Sequence, residues 1–234
     1  MSENERGEKT EYVYSLLKEM IFGWKLEPGQ KVNISSMARH FNVSAIPLRE
    51  ALSRLHSEKL VIFEPNKGYR VSEILTPVQM RELSEARLLL ELRAVLNIIR
   101  LNTNTFGVAD QLQQLNDAMK QVNTASSYKE ILDFVHYDQQ FHGTLMKAGG
   151  NAFLVEAYNG LHCHLHIARF YHVRGYVDQK DATDEHHEII ESIKTRDIYR
   201  AEEAISNHIR FVTKRLLQND EPERFFSAGL RGLV

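Results

Sequence analysis

The stretch from Asn42 to Leu60, Asn-Val-Ser-Ala-Ile-Pro-Leu-Arg-Glu-Ala-Leu-Ser-Arg-Leu-His-Ser-Glu-Lys-Leu, constrains this chain more than any other. Ser44 suits an N-cap, because its side-chain oxygen can accept a free first-turn N–H. Pro47 falls within that first turn, where its missing N–H has no intrahelical acceptor to lose. Leu48, Ala51, Leu52 and Leu55 then recur on one helical face and leave Arg49, Ser53 and Arg54 off it. One face can pack while the other meets something anionic. Upstream, Ile34, Met37, Ala38 and Phe41 share a face of a short helix closed by Asn42. Two short helices across a tight turn predict a helix-turn-helix, whose second helix suits the DNA major groove. Val61–Phe63 and Tyr69–Val71, joined by Glu64-Pro-Asn-Lys-Gly68, read as a hairpin with a basic tip, a wing. The blander alternative is a small helical core with an incidental hairpin.

Charge distribution favours the first reading. The whole chain carries a formal net charge of -2. From Lys31 to Ser72, however, Lys31, Arg39, Arg49, Arg54, Lys59, Lys67 and Arg70 stand against only Glu50, Glu58 and Glu64. Phosphate neutralisation requires such a local patch rather than a basic chain. No apolar run approaches the ~20 residues needed to span a bilayer. The acidic, polar N-terminus lacks a signal-peptide core. Cys163 is the single cysteine, which agrees with a reducing compartment, so a cytoplasmic location is expected.

Residues 1–9 are charged and lack an apolar pattern, predicting a mobile arm. Val13, Leu16, Leu17, Met20 and Ile21 form an amphipathic stripe that ends at Gly23 and Leu26-Glu-Pro-Gly29, with Trp24 packing at its end. The DNA module thus spans 10–74, and its linker runs from about Ser72 to Leu75. Thr76 then caps a new helix and Pro77 takes its first position. Helices are predicted at 77–101, 106–122, 127–148, 151–174, 178–195 and 197–218, making 76–219 a helical domain and 220–234 a tail containing Phe225 and Phe226. The fold class is mainly α: a winged helix-turn-helix followed by an all-helical bundle.

Asp138 and His142 lie four residues apart, which stacks a carboxylate and an imidazole on one helical face as a two-point metal grip. His186 and His208 lie on later helices, and side chains from facing helices of a bundle can converge in its core. The alternative for the Asp138/His142 pair is a solvated face. In Leu161-His-Cys-His-Leu-His166, a continuous helix puts His162 and His166 on one face and His164 elsewhere. Cys163 reads as a small buried hydrophobe, and His187 as outward-facing.

Residues Tyr12–Ile74 resemble the winged helix-turn-helix of the GntR family of bacterial transcription regulators. The resemblance rests on Leu26-Glu-Pro-Gly29, Val43-Ser-x-x-Pro-Leu-Arg-Glu-Ala-Leu52, Leu55 and Gly68-Tyr-Arg-Val71. It implies a DNA-binding surface of Ser35, Arg39, Ser44, Ala45, Pro47, Arg49, Arg54, Lys67, Gly68 and Arg70. Ala45 and Ser35 stand where the family commonly has arginines. Bidentate base readout is thereby reduced, and the operator is expected to differ from the usual family sequence.

Residues from about Pro77 to Gln218 resemble the FCD effector domain of the FadR branch of that family. The matching pieces are Glu85-Ala-Arg-Leu-Leu-Leu-Glu91, Asp138-x-x-Phe-His142, Asn151-x-x-Leu154, Glu185-His186 and His208. The resemblance implies a metal held by Asp138, His142, His186 and His208. Three imidazoles and a carboxylate suit Zn, Ni, Fe or Mn. It also implies an effector contact at Arg87, whose planar fork suits an acid group; the alternative for Arg87 is a surface i,i+4 pair with Glu91. Apart from the resemblance, one or two of His162, His164 and His166 are expected to line the effector cavity as hydrogen-bond groups, with His162 and His166 taken as that pair and the remainder solvated.

These readings converge on a ligand-responsive transcription regulator, most often a repressor in this family, that responds to a small carboxylate. A single winged helix reads a short half-site, so a homodimer on a pseudo-palindromic double-stranded operator follows. Two rivals stay open. A metal-dependent hydrolase could use the Asp/His cluster to activate water, although no general base of clear motif accompanies it, and the bundle could be purely structural.

Overall fold

The computed structural model describes residues 3–101, 104–123, 128–174 and 176–217, in two compact units that meet in sequence at Ile74 and Leu75. The tail at 220–234 lies outside the described residues.

In the first unit, α1 (Glu3–Phe22) is followed by β1 (Lys31–Val32), α2 (Ile34–His40), α3 (Ala45–Ser57), β2 (Val61–Glu64) and β3 (Gly68–Val71). The expected mobile arm is helical from Glu3. Once Val13, Leu17 and Ile21 anchor α1 in the core, propagation toward the N-terminus adds one hydrogen bond per residue fixed, and only Gly7 opposes it. Those residues pack with Leu48, Ala51, Leu52 and Leu55 of α3, all fully buried. Asn33 caps α2 by accepting from the Ser36 N–H.

The wing strands pair antiparallel, with Phe63 opposite Tyr69 and Val61 opposite Val71. A third strand, β1, which a two-residue segment does not announce, pairs with β3 through Lys31 and Arg70. Gly29 makes this possible: at φ 76 its N–H donates to Val71 O at 3.0 Å. A side chain there would combine a left-handed backbone with a contact of 2.5 Å to Glu73 Oε1.

The second unit comprises α4 (Pro77–Arg100), α5 (Thr105–Gln121), α6 (Tyr128–Ala148), α7 (Ala152–Leu161), α8 (Cys163–Arg174), α9 (Gln179–Thr195) and α10 (Ile198–Leu217). Thr76 and Gln79 form a reciprocal capping box that fixes the start of α4. Asn151 starts α7 by accepting from the N–H groups of Phe153 and Leu154. α4 packs on α10 and α6, and α9 packs on α5 and α10. Their shared core includes Val95, Ile98, Leu112, Phe141, Leu145, Ile189, Ile193 and Ile205.

The single helix expected over 151–174 is instead two. His162 closes α7 in the left-handed region at φ 49, and α8 restarts at Cys163. This break resets the register of the three alternating histidines and decides which of them faces inward.

Candidate metal centre and nucleic-acid interface

In the first unit the stripe that buries Leu48, Ala51, Leu52 and Leu55 also buries Pro47. Pro47 is therefore a packing residue, not the DNA contact expected of it. Ser44 occupies the N-cap of α3 with an extended backbone but makes no side-chain cap bond. Its exposed hydroxyl is left to solvent instead of the first-turn N–H it was expected to cap. Ser35, Arg39 and Arg49 are exposed, Ala45 and Gly68 half-buried. Arg39 Nε reaches only the carbonyl of Ser35 at 3.4 Å, and no hydrogen bond or ion pair to Arg49 is present among the described residues.

Three other cations of the expected surface are engaged within the unit. The Arg54 guanidinium lies 3.7 Å from the Tyr14 ring centroid and 2.5 Å from Glu11 Oε2. Arg70 Nε donates to Glu64 Oε1 at 2.6 Å, and Lys67 Nζ lies 3.2 Å from Glu64 Oε2. Hydrogen bonds from Arg70 and then Lys67 hold the Glu64 carboxyl below its ordinary range. The wing tip is thus partly neutralised from within. Arg54→Ala is expected to lower the stability of this unit by about 1 kcal/mol, through lost cation–π contact and ion pairing. The ratio of specific to non-specific DNA affinity should be unchanged. Urea unfolding with parallel DNA titrations checks both, and a collapse of specificity at constant stability would return Arg54 to the readout surface.

In the second unit α6, α9 and α10 converge. α6 carries Asp138 and His142 one turn apart, α9 carries His186 and α10 carries His208. All three imidazoles are buried, and the Asp138 carboxylate nearly so. His142 Nε2 lies 3.2 Å from His186 Nε2 and 3.2 Å from His208 Nε2. Asp138 Oδ1 is 3.5 Å from His186 Nε2 and 3.7 Å from His142 Nε2. Nitrogen ligands at the usual metal distance would stand roughly 3.0–3.4 Å apart across a coordination edge. Among the described residues the three histidines bring their ligand nitrogens within 4.8 Å of one another, and Asp138 Oδ1 lies beside two of them, His142 and His186.

The outer nitrogens of two of these rings meet carboxylates. His142 Nδ1 lies 2.7 Å from Glu91 Oε2, and His208 Nδ1 lies 2.9 Å from Glu185 Oε2. Arg215 grips Glu185 through both guanidinium nitrogens at 2.6 and 3.0 Å. The Glu185 carboxylate, hydrogen-bonded to His208 Nδ1, fixes that ring's tautomer so that its Nε2 presents a lone pair inward, whereas the close approach of Glu91 to His142 Nδ1 lacks hydrogen-bond geometry. His186 is oriented differently, by stacking on Phe141 at 3.9 Å and 5°.

Burial first, then the neighbouring imidazoles, depress His186 well below the ordinary imidazole range. Burial, His142 and Arg87 do the same to His208. Both are neutral and able to donate at pH 7. Burial raises the Asp138 carboxyl, but the neighbouring His142 and the hydrogen bond from His164 more than reverse this and hold it well below its usual value. Glu91 is similarly held low against its burial, by the Arg87 guanidinium first and then by the neighbouring His142.

Arg87 is buried, and its Nε donates to Glu91 Oε1 at 2.5 Å. The i,i+4 pair foreseen as an alternative role thus exists, but as an interior pair. Its Nη2 is buried without a hydrogen-bond partner. His162 and His166 are half-buried, and the imidazole brought to Asp138 is His164. His164 Nδ1 lies 3.0 Å from Asp138 Oδ2 and its Nε2 lies 2.8 Å from the Tyr158 hydroxyl. Burial pulls the His164 imidazole down, but the Cys163 thiol and the Asp138 carboxylate outweigh it and raise it to about 9. Cys163 is buried as expected. His187 is exposed, also as expected. Sequence reasoning gave no role to Arg215 or Tyr158, noted Glu185 only as the residue before His186, and placed His164 off the face shared by His162 and His166.

Residues 82–211 match the FCD domain model, and residues 9–71 match the model for bacterial regulatory proteins of the gntR family. The chain is 26% identical over 196 residues to the HTH-type transcriptional regulator YdhC of Bacillus subtilis, covering 83% of this chain and 85% of that protein. It is 26% identical over 200 residues to the HTH-type transcriptional repressor GlaR of Escherichia coli, covering 84% and 90%. In fold it is similar to E. coli McbR/YncC, with a TM-score of 0.66 at 20% identity over 90% of this chain and 97% of that one. Among the described residues no helix is long and apolar enough to cross a membrane.

Proposed function

We propose, for a chain that belongs to the gntR family of bacterial regulatory proteins and carries an FCD domain, that it is a metal-dependent, carboxylate-responsive transcriptional repressor acting as a homodimer in the cytoplasm. Family membership makes the chain a transcription regulator, and leaves the hydrolase alternative without support. The observation that carries the finer reading is the meeting of three imidazoles, His142, His186 and His208, with ligand nitrogens within 4.8 Å of one another in the bundle core and carboxylates beside two of the rings. His142, His186, His208 and Asp138 would hold a divalent transition ion. Such an ion supplies Lewis acidity toward an anionic oxygen.

The protein's own contribution to an acid effector is Arg87. Its Nε is committed to Glu91, which fixes the plane of the guanidinium, and its buried Nη2 retains donors for a carboxylate. Ligand binding regulates only if it favours one arrangement of the two units over another, and half-site spacing then reads that difference. The test pairs two measurements on untagged protein: metal content by mass spectrometry, and fluorescence anisotropy on the gene's own upstream intergenic duplex with an unrelated competitor. About one metal per chain, with specific binding that a small carboxylate relieves, supports the whole reading. Specific DNA binding without stoichiometric metal would retain the regulator and remove the metal.

A further inference from the structure

We infer that His164 is a positioning residue for Asp138, holding the carboxylate so that one oxygen alone faces the imidazoles of His142 and His186; this rests on the metal reading above. The two Asp138 oxygens are not equivalent. Oδ1 points at the cluster, 3.5 Å from His186 Nε2, whereas Oδ2 is met by His164 Nδ1 at 3.0 Å. An ionised carboxylate only accepts, so Nδ1 must carry the hydrogen and donate it. The Tyr158 hydroxyl at 2.8 Å occupies the other ring nitrogen and stops the imidazole from turning away. Tyr158 and His164 are buried, so no water competes freely for these bonds.

The helix break makes this possible. With α7 closed by His162 in a left-handed conformation, α8 begins at Cys163 and its second residue faces α6, which carries Asp138. A carboxylate whose second oxygen is tied in this way can offer a metal only one atom. Three imidazoles and one oxygen make four protein donors, fewer than an octahedral ion takes, so room is kept for an oxygen from outside. Released from His164, Asp138 could chelate with both oxygens and compete for that room. The Tyr158–His164 pair therefore sets how receptive the centre is to a small anion.

The experiment uses full-length protein freed of metal by chelation and reloaded with Co(II), whose visible absorption reports coordination. Acetate serves as the anion probe. Wild type should take up about one Co(II) and change its spectrum on acetate addition. His164→Asn places an amide N–H where Nδ1 was, and His164→Gln places it where Nε2 was. Asn should keep the wild-type spectrum and acetate response. Gln should alter the Co(II) spectrum and weaken acetate binding by about tenfold, the lower range for loss of an outer-shell partner. Tyr158→Phe should shift both in the same direction by less.

Identical spectra and acetate affinities for wild type and His164→Gln would overturn the inference while leaving the metal reading intact. Equal loss of Co(II) from the Asn and Gln variants, with helical content preserved, would also overturn it, because bulk rather than the Nδ1 donor would then matter. A wild-type protein that takes up no Co(II) would bring down the metal reading itself.

Discussion

Arg49→Ala is expected to weaken specific operator binding by about 10- to 100-fold, the loss that follows from removing one arginine contact worth roughly 1–3 kcal/mol. Helical content and the unfolding midpoint should not move. Leu48, Ala51, Leu52 and Leu55 form the buried face of α3, and Arg49 lies off it in solvent. No hydrogen bond or ion pair to its guanidinium is present among the described residues. Its removal therefore costs the fold little, in contrast to Arg54, which rests on Tyr14 and Glu11.

Anisotropy at two salt concentrations, on operator and unrelated duplex, separates the roles open to Arg49. A base contact should lower the ratio of the two affinities. A phosphate contact should lower both together and reduce the salt slope by about one. Unchanged binding to both duplexes would move the docking surface away from α3.

What the sequence made legible follows from how local each signal is. The amphipathic pattern around α3 and the Thr76-Pro77 start of α4 are settled by neighbouring residues, and the structure bears both helices out, though Ser44 makes no side-chain cap bond. Asp138 and His142 are one turn apart on a single helix, so their common face could be read directly. The helix break at His162 could not: it is closed by a left-handed histidine rather than by the glycine that usually marks such an end. A continuous helix would have paired His162 with His166, whereas the broken one turns His164 toward Asp138.

The internal charge pairs were illegible for a different reason. Arg54 meets Glu11 across 43 residues of sequence and Arg215 meets Glu185 across 30, distances over which no spacing rule operates. The partner of His142 was in view as the residue four beyond Arg87. Its place 2.7 Å from the His142 ring depends on α4 packing against α6, which the pattern of either helix alone does not specify.

The buried histidines carry the second large effect, in the pH dependence of the metal-free helical unit. His186 and His208 are depressed in the folded protein by burial and by their neighbours. Below the unfolded imidazole value of about 6.5, the unfolded chain takes up protons that the folded one refuses, so stability must fall as the pH falls. Each group can then cost at most roughly 1 kcal/mol per pH unit, an upper limit of a few kcal/mol for the two together by pH 5.5. That is a large fraction of the ~5–15 kcal/mol that holds a typical domain folded. Asp138 and Glu91, held low in the fold, extend the loss once the pH passes below the ordinary carboxylate range. Thermal unfolding of chelator-treated protein from pH 7.5 to pH 5 measures this, with His186→Asn and His208→Asn each expected to flatten the slope. A melting temperature unchanged across that range would mean that these rings protonate in place. The same depression has a consequence for metal uptake. A ring already neutral at pH 6 has no proton to release, so His186 and His208 should contribute little to any proton release on metal binding to the folded protein between pH 7 and pH 6.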